Sequence, residues 1–368
     1  MKNNKKTVGL LIDRLSGGGA ERSAGLISTI LSNLGYEVFI IVLFDDVVYP
    51  YSGKLINLGK YKSGSRSIKN KLWRYWKIKD VIIKNQCDLL LDFRIKDLVL
   101  REFVLNKVVL KTKVVNMVRS SNLELYFTKN KWLAKYLYKN YCGINVVSHK
   151  MQELVEKRYG FRNVKTIYNS IDFDYVSELA QKNVLINEKF VIAVGRLDPV
   201  KQFDKLIEAY SKSILPSNNI QLFIIGSGDE EVSLRKIVDK NNLTSKVKLF
   251  NFQENVFKYI SKSEFLVLSS EYEGFPRVLL ESMACGVPVV SFNCDTGPDE
   301  IVINEVNGLL VENQDFVELT KAMNNMIDNK ELYKKLRANS IKSVQKFSLK
   351  SINDSWDVYM KYLISFKS

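Results

Sequence analysis

The segment Phe265–Phe292, FLVLSSEYEGFPRVLLESMACGVPVVSF, constrains the fold more than any other stretch of the chain. A short apolar run, Phe265–Leu268, leads through a polar turn and a helical stretch to a second apolar run, Val287–Phe292. Pro276 suits the first helical position, because its ring fixes φ and the N–H it lacks would have no intrahelical partner. Gly286 suits the left-handed position that ends such a helix. Two buried strands joined by one short helix form a βαβ unit, so a parallel sheet follows. Glu273 falls in the turn above the first strand, and Glu281 lies eight residues on, inside the helix among Val278, Leu279, Leu280 and Met283. The helix N-terminus, over Gly274–Arg277, offers N–H groups and a partial positive charge that suit a phosphate. A carboxylate beside that site would repel phosphate, and is fitted instead to accept hydrogen bonds from the hydroxyls of a ribose or a sugar ring. The combination points to a sugar nucleotide.

The stretch Glu273-Gly274-Phe275-Pro276-Arg277-Val278-Leu279-Leu280-Glu281, with Ser282-Met283-Ala284-Cys285-Gly286-Val287-Pro288 after it, resembles the Glu-x7-Glu signature of the retaining glycosyltransferases of family 4. Two glutamates at this spacing carry little alone; the EGFP start, the small-residue helix and the Gly-x-Pro exit together are specific. The resemblance extends over nearly the whole chain. It implies an α/β fold of GT-B type: two facing Rossmann-like domains with parallel sheets and a C-terminal helix crossing back to the first. Residues 1–172 would bind the acceptor, 173–349 the nucleotide sugar, and 350–368 would form the crossover helix.

Length and charge fit this organisation. A chain of 368 residues exceeds one small core and suits two α/β domains. No uncharged apolar run reaches the length of a membrane span, and the basic start, Met1–Lys6, is too short for a signal peptide. Cys87, Cys142, Cys285 and Cys294 have neither metal-ligand nor disulfide spacing, and a single histidine, His149, argues against a histidine-based metal site. A reducing, cytoplasmic setting is expected. Residues 1–170 hold 31 Lys and Arg against 13 Asp and Glu, a net of +18, whereas the rest of the chain is slightly acidic. So basic a half seeks an anionic partner: lipid, nucleic acid or a phosphorylated substrate.

Taken in order, Thr7–Ile12 reads as a strand, Ser16–Arg22 as a glycine loop containing Gly18 and Gly19, and the next stretch as a helix ended by Gly35. A strand, glycine loop and helix let backbone amides approach a phosphate or sugar, although many such loops merely turn. The GGGAE sequence is similar to the family's first loop, which faces donor and acceptor. Val38–Phe44, Asp88–Phe93, Val114–Val118, Ile144–Ser148 and Val164–Tyr168 read as further strands. Two basic stretches, 69–79 and 129–141, interleave Lys and Arg with Trp and Tyr at helical spacing. That pattern suits a helix at a lipid headgroup layer, the reading preferred here over a surface helix whose aromatics pack on the sheet. Nucleic acid is the weakest reading, since no recognised module accompanies the charge. Asn169-Ser170-Ile171-Asp172 resembles the family's hinge, with the boundary expected within 172–187.

The second half opens with the strand Phe190–Val194 and the loop Gly195–Phe203. Arg196 and Lys201 there can converge on one pyrophosphate, Arg gripping two oxygens and Lys supplying a compact charge. Leu222–Ile225 runs into Gly226, and Val247–Phe252 is the strand expected to carry the base pocket at Asn251 and Phe252. Helices are expected over 315–327, 330–346 and 350–364. The resemblance implies that Glu281 holds the ribose hydroxyls and Glu273 the donor sugar, with Gly274, Phe275, Pro276 and Leu279 completing the donor site. It implies transfer with retention and without a metal. Two departures stand out. Val118-Arg119-Ser120 occupies the place where many relatives carry a histidine, so Arg119 would contribute charge there, and Asn251 replaces a common glycine. The turn Gly297–Glu300 resembles transferases that use galactose or N-acetylated hexosamines from UDP.

The expectation is therefore a UDP-hexose or UDP-N-acetylhexosamine donor, serving as co-substrate with no other cofactor. The acceptor would be a lipid-diphosphate-linked saccharide in capsule, O-antigen or other surface-glycan synthesis, met at the inner face of the cytoplasmic membrane. The alternatives are an ADP- or GDP-sugar with a soluble acceptor, or a non-catalytic carbohydrate- or nucleic-acid-binding relative.

Overall fold

The computed structural model describes residues 5–61, 68–96 and 98–365. The chain forms two compact units, Met1–Ser170 together with Leu349–Ser368, and Ile171–Ser348. Of the two basic aromatic stretches, the side chains of Lys69 and Lys71 lie outside the described residues, as does the tail before Lys5.

Among the described residues the first unit carries seven strands: β1 (Thr7–Ile12), β2 (Glu37–Val42), β3 (Lys54–Asn57), β4 (Leu89–Asp92), β5 (Lys113–Met117), β6 (Gly143–Val146) and β7 (Val164–Thr166). They pair in parallel in the order β3-β2-β1-β4-β5-β6-β7. The order reverses between β1 and β4, the kind of point at which open α/β sheets bind ligands beyond the carboxyl ends of their strands. The helix Gly19–Asn33 turns Ala24, Ile27, Ile30 and Leu31 onto this core. The C-terminal helix, Leu349–Ser365, adds Ile352, Trp356, Tyr359, Met360 and Leu363, the helical spacing that buries one face. Lys113 Nζ donates to the carbonyls of Leu363 and Ile364 at 3.2 and 2.9 Å, satisfying the last turn. Gly143 on β6 makes room for that helix: a Cβ there would lie 3.2 Å from Leu363 Cδ2 and 3.3 Å from Tyr359 Cζ.

The second unit carries β8 (Lys189–Val194), β9 (Ile220–Ile225), β10 (Val247–Phe250), β11 (Leu266–Leu268), β12 (Val289–Asn293) and β13 (Gly308–Glu312). Its parallel order is β10-β9-β8-β11-β12-β13, with the reversal between β8 and β11. Its core packs Phe203, Leu206, Ile207 and Tyr210 of one helix with Leu319, Met323 and Met326 of a neighbouring helix on the buried strands. Phe190 and Phe223 stack 4.1 Å apart on adjacent strands.

Several expected boundaries move. The strand expected over Val247–Phe252 stops at Phe250, so Asn251 and Phe252 stand in the loop beyond it. The domain boundary expected within 172–187 falls just before it, between Ser170 and Ile171, and that stretch opens with a helix, Phe173–Ala180, capped by Asp172, which accepts from the Tyr175 N–H at 3.0 Å. Pro276 precedes the signature helix, which runs Arg277–Ala284, instead of opening it. Gly286 has the left-handed φ of +73° expected of it.

Candidate functional site

In the second unit the loops after β9, β8, β11 and β12 are stitched together at the strands' carboxyl ends. Leu197 N–H donates to Ser227 O at 3.0 Å, and Glu230 N–H to Leu197 O at 3.0 Å. Glu271 N–H donates to Val200 O at 2.8 Å, and the Ser269 hydroxyl to Lys201 O at 2.7 Å. The Thr296 hydroxyl donates to Glu273 O, tying the loop after β12 to the signature turn. Close backbone approach explains the glycines here. A Cβ on Gly226 would run into the Gly195 carbonyl, and one on Gly297 would lie 2.7 Å from Gly274 O and 2.9 Å from Phe275 Cα.

Lys201 is the centre of this arrangement. Its stem lies over Gly195, where an added Cβ would meet Cε at 3.1 Å. Its Nζ donates to Glu273 Oε1 at 2.5 Å and to Ser270 Oγ at 3.4 Å. An ammonium has three donors, so two are used in orienting the group and one is left for a ligand. Arg196, on the same loop, projects outward with its Nε 3.4 Å from Asp198 Oδ2. Phe252 N–H donates to Ser227 Oγ at 3.0 Å and Gly226 N–H to Phe250 O at 2.9 Å, so Gly226, Asn251 and Phe252 share one corner.

On the signature helix, Glu281 is buried and its Oε1 lies 3.6 Å from Arg277 Nε, one turn earlier. Leu279 is fully buried and its N–H goes to the Pro276 carbonyl at 3.2 Å. Phe275 is buried edge-on to Phe347 at 5.3 Å. These contacts fix the backbone around Pro276, the cap beyond which the Arg277 and Val278 amides open the helix. The expected residues Arg196, Lys201, Gly226, Asn251, Phe252 and Glu273–Glu281 thus fall on adjoining loops of one sheet.

Gly18, Gly19 and Arg119 belong to the first unit. Gly18 is extended, with φ −154°, and its carbonyl accepts from Arg22 N–H at 3.2 Å in the first turn of the helix. Arg119 follows β5. Its Nη2 donates to Asn145 Oδ1 on β6 at 2.7 Å, and its guanidinium sits over the Phe93 ring at 5.3 Å. His149 opens the helix His149–Tyr159, exposed, with its ring edge-on to Tyr168 at 5.5 Å. The sequence reading missed Ser269, Ser270 and Thr296, the hydroxyls that lock the loops; small polar residues after apolar runs were a signal only for turns.

Comparison with known proteins identifies the family. Residues 177–343 match the family described as glycosyl transferases group 1, and residues 17–175 match glycosyltransferase family 4. A Campylobacter jejuni N-acetylgalactosamine-N,N'-diacetylbacillosaminyl-diphospho-undecaprenol 4-alpha-N-acetylgalactosaminyltransferase is 28% identical over 89% of this chain and 92% of its own. The amylovoran biosynthesis glycosyltransferase AmsD of Erwinia amylovora is 25% identical over 88% of this chain and 91% of its own. A crystal structure of Staphylococcus aureus TarM with fondaparinux, alpha-GlcNAc-glycerol and UDP superposes with a TM-score of 0.78 at 14% identity. That match covers 98% of this chain and 100% of the other.

Proposed function

The chain belongs to family 4 of the glycosyltransferases, and from that premise we propose that it moves a hexose or N-acetylhexosamine from a UDP-sugar to a lipid-diphosphate-linked saccharide, retaining the α configuration. The observation that carries this reading is Lys201, held by Glu273 and Ser270 beside the first turn of the signature helix. In the reaction the bond from donor C1 to the diphosphate oxygen breaks, and negative charge grows on the departing UDP. In this reading Lys201, oriented by Glu273 and Ser270, and the helix amides meet that charge, joined by Arg196 once it turns inward from Asp198, and such preorganisation lowers a barrier. Glu273 cannot face the phosphate; it steadies Lys201 and accepts from a donor-sugar hydroxyl. Glu281, steadied by Arg277, accepts from the ribose hydroxyls. The acceptor oxygen bonds to C1 on the face the diphosphate leaves, and its proton passes to the departing phosphate oxygen. No metal is required in this scheme.

The C. jejuni relative, whose name specifies an undecaprenyl diphosphate-linked acceptor, and the amylovoran enzyme support a lipid-linked acceptor in surface-glycan synthesis. The +18 charge of residues 1–170 supports contact with an anionic membrane face, where such an acceptor would be met. A thermal-shift series with UDP, ADP, GDP and UDP-sugars tests the donor: ligand at a hundred times its Kd stabilises by about 2.7 kcal/mol. UDP should raise the midpoint where ADP and GDP do not, and a preference for ADP or GDP would remove the UDP assignment. The anomeric proton coupling of the product tests retention.

A further inference from the structure

Between β4 and β5 the chain is built inside out. Asp92 and Glu102 are 0% exposed, and Arg94 and Lys96 are 3% exposed. Ile95, Leu98, Val99, Leu100 and Phe103, in the same short stretch, all face outward, Leu100 at 77%. Water selects the opposite pattern. The buried charges are fully engaged. Arg94 reaches Asp92 through Nε and Nη2 at 2.9 and 2.8 Å, and Glu102 through Nη1 and Nη2 at 3.2 and 3.4 Å. Lys96 Nζ donates to Asn116 Oδ1 at 2.7 Å and lies 3.4 Å from Asp92. Arg101 Nη2 closes the loop by donating to the Ile95 carbonyl at 2.6 Å. Buried ion pairs add little net stability, but this many linked charges hold one backbone geometry. The helix Val99–Val104 then widens into an i→i+5 turn over Leu105–Val109, where Leu110 N–H donates to Leu105 O at 2.8 Å.

The surroundings identify what the ridge meets. The wide turn packs against the helix Ile68–Lys84, which exposes Leu72 and Trp76. Lys107 Nζ sits 4.9 Å from the Tyr136 ring on the helix Lys131–Tyr138, and Asn106 Nδ2 donates to Leu137 O at 3.4 Å. That helix sends Tyr138 and Leu137 into the core, yet leaves Trp132 84% exposed beside exposed Lys131, Lys135 and Lys139. Apolar tips are thus bordered by amphipathic rings and lysines, the composition suited to a headgroup boundary. A second copy would bring another basic unit against this one and be repelled.

We propose that Ile95, Leu98, Val99, Leu100 and Phe103 form a ridge that inserts among the lipids of an anionic bilayer, set on the Asp92–Arg94–Glu102 cluster as a rigid base. The inference rests on the membrane contact proposed above and assigns its apolar component to a segment outside the two basic aromatic stretches.

Flotation of the full chain with phosphatidylcholine vesicles, with and without phosphatidylglycerol, tests it. Wild type should partition onto the anionic vesicles. Leu100→Glu/Phe103→Glu should partition at least about a hundredfold more weakly, the scale of two apolar side chains denied burial. Leu100→Gln/Phe103→Gln, which adds no charge, should lose at least half of that free energy, and both should keep the wild-type melting midpoint because the positions are exposed. Wild-type binding by both ridge variants, alongside loss in Lys131→Gln/Lys135→Gln/Lys139→Gln, would leave the membrane reading intact and overturn the ridge. Absence of wild-type binding to anionic vesicles would overturn both. A wild-type dimer in size exclusion that the ridge variants dissolve would make a second copy the occupant and overturn the proposal.

Discussion

Replacing Lys201 with alanine separates structural from catalytic weight at the site. The side chain spans from Gly195 to Glu273 and is 18% exposed, its partner carboxylate 14%. Losing one member of a fully buried pair costs about 3–5 kcal/mol, and an exposed pair is worth about 0–1 kcal/mol. A pair that keeps some water access falls between, at about 1–2 kcal/mol. In a unit the size of Ile171–Ser348 that lowers its melting midpoint by about 2–8 °C, so the variant stays folded at assay temperature. The catalytic loss should be much larger. A preorganised donor aimed at developing charge is worth about 10²–10³ in kcat, or about 2.7–4 kcal/mol. UDP release at saturating donor and acceptor should therefore fall by about two to three orders of magnitude, with a smaller change in donor KM. A Lys201→Ala/Glu273→Ala double variant should recover part of the lost stability, because the carboxylate no longer lacks its ammonium, but none of the lost rate. A kcat within about threefold of wild type in a folded Lys201→Ala protein would refute the argument that this ammonium meets the leaving group.

Glu281→Gln keeps the shape of the ribose-facing group and removes its charge, so donor KM should rise about tenfold with kcat little changed, as for lost uniform binding; an unchanged KM would remove the ribose role. Chelation with EDTA should leave turnover intact, and inhibition reversed by a divalent cation would contradict a reaction carried by Arg196, Lys201 and helix amides. Asp92→Asn removes one of the two carboxylates on Arg94 and should cost about 3–5 kcal/mol, read in urea unfolding. Burial alone would raise the Asp92 carboxyl, but Arg94 and Lys96 together hold it below its ordinary value of 3.8. The stability it supplies is therefore complete above that value and lost as pH falls through the lower folded one, so the gap between wild type and Asp92→Asn should close in that acid range.

Strands buried on both faces, such as β1, β9 and β12, read as apolar runs because helices cover both sides of a parallel sheet. The strand Lys54–Asn57 was not legible: four residues at a sheet edge, only partly buried, carry no such run. Phe252 extended the apolar pattern of β10 by two residues, yet it is 38% exposed in a loop. The loops that carry Arg196, Lys201 and the two glutamates were legible as turns because glycine and polar residues follow short apolar runs there. The bond between Lys201 and Glu273 was not, since it depends on two loops 72 residues apart. The segment 92–103 escaped for the opposite reason. Ile95, Leu98, Val99, Leu100 and Phe103 face out while Asp92, Arg94, Lys96 and Glu102 face in, so periodicity read as burial points the wrong way. Tyr138 and Tyr141 show the same ambiguity: in a run that suits a membrane helix, both are core residues, Tyr141 donating to Asn106 Oδ1 at 2.7 Å.

The placement of the diphosphate decides the account. A crystal structure of the chain with UDP should show the β-phosphate within hydrogen-bond distance of Lys201 Nζ and of the amides opening the helix Arg277–Ala284, with the ribose hydroxyls on Glu281. Phosphates bound away from Lys201, or a ribose turned from Glu281, would contradict the division of labour in which fixed cations and amides hold the phosphates and carboxylates hold the hydroxyls.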